Sequence, residues 1–166
     1  MRRIAAIIEA RLNSKRLPNK VLKKINGTEI IKLIIERLKS SKYLDDIIVA
    51  TTTNKQDDKL VNFLKKNNYK YYRGSEENLV KRVVKTGEKF KSNIIVRVTA
   101  DNPLSDPDII DFMIKYFLKK KKLDYLTNNY FADSKKRKIA VGLDISVFEL
   151  NKLKTVLNSK KNKIYN

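Results

Sequence analysis

The 166-residue sequence contains neither cysteine nor histidine, and these two absences exclude several kinds of chemistry. Without cysteine the chain cannot form a disulfide, a thiolate metal site or a cysteine nucleophile. Without histidine it cannot build a Ser-His-Asp triad, a histidine zinc site or histidine acid–base catalysis.

No stretch approaches the roughly 20 apolar residues that span a bilayer. The arginines near the N-terminus precede a short β-branched run rather than a signal peptide. We therefore expect a cytoplasmic protein without a membrane segment.

Glycine and proline are also scarce, with four and three residues. No linker rich in Gly, Pro or Ser divides the chain, and no internal repeat is present. A chain of this length is typical of one domain with a real hydrophobic core. We therefore predict a single domain over residues 1–166.

Acidic residues are outnumbered by basic ones, and the formal net charge of +20 invites a nucleic-acid interpretation. The excess is mostly lysine that is spread over every segment. RRM-type aromatic motifs, zinc-finger spacings and a helix-turn-helix pattern are absent. The densest runs, Lys119–Lys122 and Lys135–Lys138, are interpreted as solvated surface, with weak attraction for polyanions as the alternative. Composition therefore does not favour a nucleic-acid partner.

Short apolar runs alternate with helical patterns along the chain. Strands are predicted where such runs are bounded by polar residues or glycine, at Ile4–Ala10, Ile47–Thr52, Tyr69–Tyr72, Ile94–Thr99 and Tyr125–Asn128. Helices are predicted where apolar residues recur at helical spacing, at Glu29–Leu38, Asp57–Lys66, Glu76–Phe90 and Asp108–Leu118. Asp106 is predicted to cap the last of these helices, with Pro107 in its first turn. The alternation predicts an α/β fold of three layers, with a mostly parallel, Rossmann-like sheet.

A basic loop follows the first predicted strand directly, with the sequence RLNSKRLPNKVL from Arg11 onward. Its cations are Arg11, Lys15, Arg16 and Lys20. Positive charge at the carboxyl end of a first strand is where open α/β sheets bind anionic ligands. Neither GxxxxGK[ST] nor GxGxxG occurs in the chain, so a phosphate cradle must rely on these cations and on backbone amides. A solvated basic connector is the alternative interpretation.

A second candidate segment, VRVTADNPLSDPD, follows the fourth predicted strand. Asp101 falls just past the strand end, too far from the next helix to serve as its cap. A carboxylate at a strand's carboxyl end, facing a basic loop, can hold Mg²⁺ against phosphate oxygens. A DxD-type metal motif matches only Asp106-Pro107-Asp108, and the proline that starts a helix there argues against it.

These segments resemble the cytidylyltransferases that activate sugars and sugar acids. The basic loop is similar to the family's ARxGSxRLPxKxL motif and is closest to the spore-coat polysaccharide biosynthesis (SpsF-type) branch, with acidic-sugar CMP transferases as cousins. Further segments resemble family motifs in the same order: IIVATTTNKQDD is similar to IVVATSDNPEDD, YRGSEENLVKRV to FRGSEDDVLDRY, VRVTADNPLSDPDIID to VRITGDCPLIDPELID, DYLTNNYF to YDYVSN, and VGLDISVFELNKL to DGLDVEVFSFEAL. The resemblance covers nearly the whole chain.

The resemblance implies a GT-A-like, Rossmann-related nucleotidyltransferase fold. It implies a reaction in which an acceptor oxygen attacks the α-phosphorus of CTP and pyrophosphate leaves, in surface polysaccharide biosynthesis. It also implies Mg²⁺ as cofactor, with Mn²⁺ as the alternative, and a small sugar or sugar-acid acceptor. Relatives of this kind often pair, and the apolar and aromatic content of Tyr125–Phe131 would suit a homodimer interface.

The resemblance assigns roles at the phosphate end of the nucleotide. The positions that match the family's phosphate-binding loop are Arg11, Leu12, Asn13, Ser14, Arg16 and Lys20. Arg11 and Lys20 would stabilise the transition state and the leaving pyrophosphate, with the metal carboxylate Asp101 as the third catalytic residue. Asn13 and Asn19 replace family glycines, and asparagine tolerates left-handed backbone better than most residues. Ala100 replaces another glycine, which predicts crowding near the nucleotide.

Other positions match less central parts of the family's site. Thr52, Ser75 and Arg82 match positions near the base and ribose. Asp144 would be a second metal ligand or a contact to the acceptor, with a strand-end turn residue as the alternative interpretation. Relatives continue past the position of Asn166 to a late VDTPED-like motif whose aspartate helps to hold the metal. We therefore expect this chain to lack the family's C-terminal portion.

Three functions from different classes follow from these observations. The first is a Mg²⁺-dependent cytidylyltransferase. The second is a non-catalytic member of that family that binds nucleotide or pairs with other chains. The third is a basic protein that binds polyanions, whose affinity would fall steeply with log[salt].

Overall fold

The computed structural model describes residues 2–14, 17–120, 122–129 and 142–159. Its main sheet contains β1 (Ile4–Glu9), β4 (Asp46–Thr52), β5 (Lys70–Gly74), β6 (Ile94–Thr99), β7 (Tyr125–Thr127) and β8 (Ile145–Glu149), and a separate hairpin contains β2 (Lys24–Ile25) and β3 (Thr28–Glu29). The helices are α1 (Ile30–Leu38), α2 (Asp58–Lys66), α3 (Leu79–Lys89), α4 (Pro107–Lys119) and α5 (Leu150–Asn158). The predicted α/β class with helices on both faces is confirmed.

The main sheet has the strand order β5-β4-β1-β6-β8-β7. Strand β1 pairs in parallel with β4 and with β6, and β4 pairs in parallel with β5. Strand β8 is antiparallel to both of its neighbours, β6 and β7. The sheet is therefore mostly parallel, as predicted, but one edge is antiparallel, which sequence patterning did not indicate.

Every predicted strand and helix is present, with ends that shift by a few residues. Helix α3 begins at Leu79 rather than Glu76 because Asn78 is its N-cap, with a side-chain oxygen 2.7 Å from the amide nitrogen of Lys81. The predicted cap at Asp106 is confirmed, since its side chain accepts hydrogen bonds from the first-turn amides of α4. Local capping chemistry therefore sets these helix boundaries.

Strand β8 and helix α5 were not predicted. The strand passes directly into the helix at Leu150, with no glycine or proline to separate the two apolar patterns. Among the described residues, no helix has the length and apolar character needed to cross a membrane.

The β2–β3 hairpin was also missed, although its turn has a recognisable sequence. Asn26 and Gly27 have φ values of 48° and 80°. Positive φ at both central positions is the geometry of a type I′ turn, for which Asn-Gly is a preferred pair. The hairpin lies between the basic loop and α1, so it joins the loop to the body of the domain.

Alternation along the central strand divides the hydrophobic core between the two faces of the sheet. Ile4, Ala6 and Ile8 pack with buried residues of α1, α2 and α4, whereas Ile7 packs with residues of α3 and α5. Ala100 is 4% exposed and belongs to the first of these clusters. The Ala100 methyl group therefore packs with the core, and the expected crowding near the nucleotide stays a prediction.

Candidate functional site

The two segments singled out in the sequence meet at one end of the sheet. Strand β1 lies between β4 and β6 in the sheet. After β1 the chain adds β4 and β5 on one side of it, and then crosses over to add β6 on the other side. The carboxyl ends of β1 and β6 therefore flank the topological switch point where open α/β sheets bind ligands. We call this region, with residues 11–20 and 100–106, the switch crevice. Across it, Lys20 Nζ lies 3.1 Å from Asp101 Oδ2.

Asp101 is held in its ionised form at the edge of this crevice. Burial disfavours its charge, yet hydrogen bonds from Thr99 and Lys20 keep the pKa of Asp101 below its ordinary value. The carboxyl side chain remains 46% exposed. The Asp101 carboxylate is therefore accessible from solvent, as a ligand of a hard cation such as Mg²⁺ must be.

The basic loop closes upon itself through the backbone of Leu12. The Leu12 carbonyl accepts hydrogen bonds from Ser14 N at 2.8 Å and from Asn19 N at 3.1 Å. Asn19 has a φ of 56°, so the expectation that asparagine can take the left-handed place of glycine is confirmed there. Asn13 does not adopt positive φ. Arg16 lies outside the described residues, and its predicted phosphate contact stays a prediction.

A buried carboxylate that sequence reasoning missed anchors this loop. Asp57 is 1% exposed, and its Oδ1 accepts a hydrogen bond of 2.7 Å from Leu12 N. Its Oδ2 accepts hydrogen bonds from the amide and the hydroxyl of Thr52. Asp57 therefore ties the start of the basic loop to the end of β4. The available signal was the Asp-Asp pair in IIVATTTNKQDD, but a helix start explained that pair equally well.

The backbone amides of Leu12 and Thr52 therefore support the structure of the basic loop. Leu12 is 3% exposed and Thr52 is 1% exposed, and both amides donate to Asp57. A nucleotide contact through either amide would require one of these hydrogen bonds to break. Their predicted place near the nucleotide stays a prediction, while the structure shows them supporting the loop.

Ser75 and Arg82 lie together at the end of β5. Arg82 is 5% exposed, and its Nη1 donates to the carbonyl of Ser75. Burial lowers the pKa of Arg82, Glu9 opposes this effect, and the nearby charge of Arg11 adds to it. The Nε of Arg82 is buried without a hydrogen-bond partner in the described part of the chain. Arg82 thus supports the turn at residues 75–76 through its hydrogen bond to the Ser75 carbonyl. It also lies near Arg11, the first cation of the basic loop.

Asp144 lies at the same end of the sheet as Asp101. Its carbonyl oxygen accepts a 3.5 Å hydrogen bond from the side-chain amide of Asn102, the neighbour of Asp101 in sequence. Within the described ranges, no group of three or more acidic side chains is close enough to form a metal cluster. The structure therefore brings both predicted metal ligands to one end of the sheet, and a metal there would need phosphate oxygens or water to complete its coordination.

Comparison with known proteins assigns this arrangement to a family. The model of the family described as "Cytidylyltransferase" matches residues 5–166. The chain belongs to the cytidylyltransferase family. A structure of a cytidylyltransferase from Leptospira borgpetersenii agrees with a TM-score of 0.85 and 35% identity, covering 94% of this chain and 64% of that one. The nucleotidyltransferase fold that the resemblance implied is thereby confirmed.

Relatives confirm the SpsF-type and acidic-sugar relationship. The uncharacterized protein MJ1063 of Methanocaldococcus jannaschii is 38% identical over 97% of this chain and 63% of its own length. The spore coat polysaccharide biosynthesis protein SpsF of Bacillus subtilis is 36% identical over 69% of this chain and 50% of its own. A 3-deoxy-manno-octulosonate cytidylyltransferase of Christiangramia forsetii is 29% identical over 69% of this chain and 46% of its own. The chain thus spans about half to two thirds of the relatives it matches.

Proposed function

We propose that this protein transfers CMP from CTP to a small sugar or sugar-acid acceptor, with release of pyrophosphate, in surface polysaccharide biosynthesis. The family membership supports nucleotidyl transfer, and the relationship to SpsF and to an octulosonate cytidylyltransferase supports the acceptor class. The proposal also places the protein in the cytoplasm, where CTP is available.

The observation that carries the proposal is the contact between Lys20 and Asp101 at the switch point. A lysine that is poised for phosphate and a carboxylate that is poised for a cation stand 3.1 Å apart and remain partly exposed. A metal-bound triphosphate presents the complementary charges to both groups. Entry of such a ligand would exchange one exposed ion pair, which contributes little to stability, for two stronger contacts.

The proposed reaction needs no histidine or cysteine. The acceptor oxygen forms a bond to the α-phosphorus of CTP, the bond from that phosphorus to the bridging oxygen breaks, and the acceptor's hydroxyl proton leaves to solvent. Charge develops on the phosphate oxygens and on pyrophosphate, so neutralisation and positioning supply most of the catalysis. Arg11 and Lys20 would supply the positive charge, and the closed turn at Leu12–Ser14 would position the phosphates.

The donor set at the crevice fits the proposed Mg²⁺. This ion is usually bound by one or two carboxylates, with waters and substrate phosphates as the remaining ligands. Asp101 would hold it, and Asp144 at the same end of the sheet would be the second ligand. When bound, the ion would neutralise phosphate charge. Mn²⁺, which also accepts carboxylate ligands, is the alternative.

A thermal-shift panel tests the proposal directly. CTP, UTP, ATP, GTP and tripolyphosphate are added separately to the purified chain, each with and without Mg²⁺. A ligand that binds only the folded state stabilises it by about 2.7 kcal/mol at a hundredfold excess over Kd. We expect a shift that is largest for CTP and that requires Mg²⁺.

Two other outcomes would contradict the proposal. Equal shifts for tripolyphosphate and every nucleotide, suppressed by salt, would indicate a basic surface that binds any polyanion. No shift with any ligand would indicate that the chain does not bind nucleotide, and the family member would then be non-catalytic.

A further inference from the structure

A bidentate ion pair lies beside the switch crevice and has no part in the proposed nucleotide chemistry. Arg97 Nε lies 2.6 Å from Glu9 Oε1, and Arg97 Nη2 lies 2.8 Å from Glu9 Oε2. The Glu9 side chain is 8% exposed, whereas that of Arg97 is 39% exposed. Buried carboxylates of this kind are usually paired. The pair with Glu9 uses Nε and Nη2 of Arg97, so the Nη1 group of the guanidinium lies outside this contact.

The pair marks the point where the helices stop covering one face of the sheet. Ile7 and Ile95, two residues earlier on each strand, are buried against α3 and α5. Because alternate residues share a face, Glu9 and Arg97 lie on that same face, nearer to the carboxyl ends of the strands. The face thus changes there from apolar and covered to charged and partly exposed.

The polar surface continues across the antiparallel edge of the sheet. Ser146 stands opposite Arg97 in the register of β6 and β8. The Ser146 Oγ lies 2.8 Å from the hydroxyl of Tyr125, whose ring stacks on Phe148 with centroids 6.1 Å apart. Tyr125 is 53% exposed, although Ser146 is only 7% exposed. A buried hydroxyl therefore orients an exposed tyrosine.

This surface adjoins the predicted nucleotide region on its other side. Glu9 stands opposite Thr99 in the β1–β6 register, and Thr99 donates a hydrogen bond to Asp101. The charge of Glu9 also acts on Arg82, which contacts the turn that follows β5. A molecule on Arg97 and Tyr125 would therefore lie next to a nucleotide held by the crevice, where an acceptor must be for transfer.

The charges of the surface select for one kind of ligand. Glu9 balances the charge of Arg97 and occupies its Nε–Nη2 edge, one of the two edges through which a guanidinium can bind a carboxylate. What remains is N–H donors, a phenol hydroxyl and an exposed aromatic ring. These groups suit hydroxyls and the apolar face of a sugar ring better than they suit a second carboxylate.

We infer that Arg97 and Tyr125 form the acceptor subsite and bind the uncharged, hydroxyl-bearing ring of a sugar, with Glu9 and Ser146 as positioning residues. This inference rests on the proposed function, because it places the acceptor beside CTP. It narrows the acceptor to one recognised through its sugar hydroxyls rather than through a carboxylate.

Saturation-transfer NMR on the full chain tests the subsite. The probes are D-glucose, glucose 1-phosphate and N-acetylneuraminic acid, each added with Mg²⁺ and α,β-methylene-CTP, which cannot transfer its nucleotidyl group. We expect ring-proton signals from the two hexose probes. Tyr125→Ala should weaken hexose binding about tenfold and change the Kd of the CTP analogue by less than about twofold.

Two further variants keep the test independent of folding defects. Tyr116 on α4 is 44% exposed and packs on another ring, so Tyr116→Ala is a matched control that should leave hexose binding unchanged. Because Arg97→Met alone would leave Glu9 buried and unpaired, the double variant Glu9→Gln/Arg97→Met is used. It should weaken hexose binding as Tyr125→Ala does, with the analogue still bound.

The outcomes separate the subsite from the proposed function. Failure of the wild-type chain to bind the CTP analogue would overturn the proposed function and the subsite with it. Analogue binding with no hexose signal would overturn the subsite alone, as would equal effects of Tyr125→Ala and Tyr116→Ala. A Tyr125 variant that changed the oligomeric state but not sugar binding, or variants that affected only N-acetylneuraminic acid, would also overturn it.

Discussion

The parallel and antiparallel parts of the sheet use their polar residues differently. In the parallel part, β4 and β1 are buried almost throughout, and most of the candidate functional residues, such as Arg11, Lys20 and Asp101, lie in the segments that follow the strands. In the antiparallel part, polar side chains stand on the strands themselves, with Arg97 on β6, Ser146 on β8 and Tyr125 on β7. Strands covered on both faces leave only their ends for chemistry, whereas a partly uncovered face can present side chains along its length.

The two parts also differ in what holds the polar groups in place. In the described part of the basic loop, a buried carboxylate, Asp57, anchors the amide of Leu12 from the turn that follows β4. The surface that carries Arg97 and Tyr125 depends on contacts between neighbouring strands. These are the Glu9–Arg97 ion pair and the hydrogen bond between the hydroxyls of Ser146 and Tyr125. The loop should therefore be sensitive to removal of Asp57, whereas loss of the exposed Tyr125 side chain should leave the strands that carry the other surface in place.

Removal of the anchor is the most severe test of this difference. Asp57→Ala leaves three donors without their buried acceptor, so we expect a loss of about 3 kcal/mol or more in the free energy of unfolding. CTP affinity should fall with it, because the loop loses its attachment at Leu12. Urea unfolding and calorimetric titration measure the two effects.

The neighbouring residue provides the control for that change. Asp58 is 52% exposed in its side chain and pairs with Arg73 at 2.7 Å. Such exposed pairs contribute up to about 1 kcal/mol, so Asp58→Ala should have a small effect on stability and none on CTP affinity. Equal losses in the two variants would show that Asp57 is not a specific anchor.

Changes at the crevice should affect binding far more than folding. Lys20→Glu and Asp101→Asn each remove one side of a partly exposed pair, so the free energy of unfolding should change by less than about 1 kcal/mol. Binding of Mg-CTP should weaken about a hundredfold or more in each, measured by titration calorimetry. Glu36→Gln, which breaks the exposed Lys39 pair on α1, should leave binding intact. Retained CTP binding in both crevice variants would refute the site assignment.

The packing that joins the two parts of the sheet can be strained at one glycine. A Cβ at Gly87 on α3 would lie 2.8 Å from Leu150 Cδ1 and 3.2 Å from Ile95 Cδ1. We expect Gly87→Ala to destabilise the protein by about 1–2 kcal/mol, since overpacking outweighs the gain in helix propensity. Urea unfolding measures this. In the Leu150→Ala background the same change should be neutral or stabilising, and an equal loss there would contradict the steric explanation.

The smallest expected effect is a pH dependence at the parallel edge. Burial and the hydrogen bond to Glu36 raise the pKa of Tyr69 from 10.0 to about 12. A raised folded-state pKa means that this contribution to stability is complete below the unfolded pKa and is lost as pH rises through the folded one. Tyr69→Phe should therefore lose less stability than wild type as the pH rises from 10 to about 12. Parallel urea-unfolding curves across that window would contradict this explanation.

Elements with a strong local signature could be predicted from the sequence. The Ile94–Thr99 strand agrees residue for residue, and Asp106 with Pro107 marked the start of α4 correctly. Such features depend on neighbours within a turn or two. Strand β8 failed the same approach because its apolar run continues into α5 without a turn.

The candidate site divides in the same way. Arg11, Lys20 and Asp101 could be proposed from the sequence because charge at the ends of predicted strands implies proximity, and the Lys20–Asp101 contact is present. Glu9 and Arg97 carried no such signal, since each lies within an apolar strand pattern. The roles of all these residues toward CTP stay predictions.

The order of apolar and polar residues along the chain by itself determined the α/β class, the central strands, the basic loop and the carboxylate opposite it. Only the tertiary structure decided which charges are buried and which neighbour each one meets. Asp57 and Asp58 are adjacent in sequence, yet one is buried under Leu12, 45 positions away, and the other faces solvent. Glu9 finds Arg97 across 88 positions. Local patterning specifies elements because its interactions are short-ranged, whereas the burial of a charge depends on strands that the topology brings side by side.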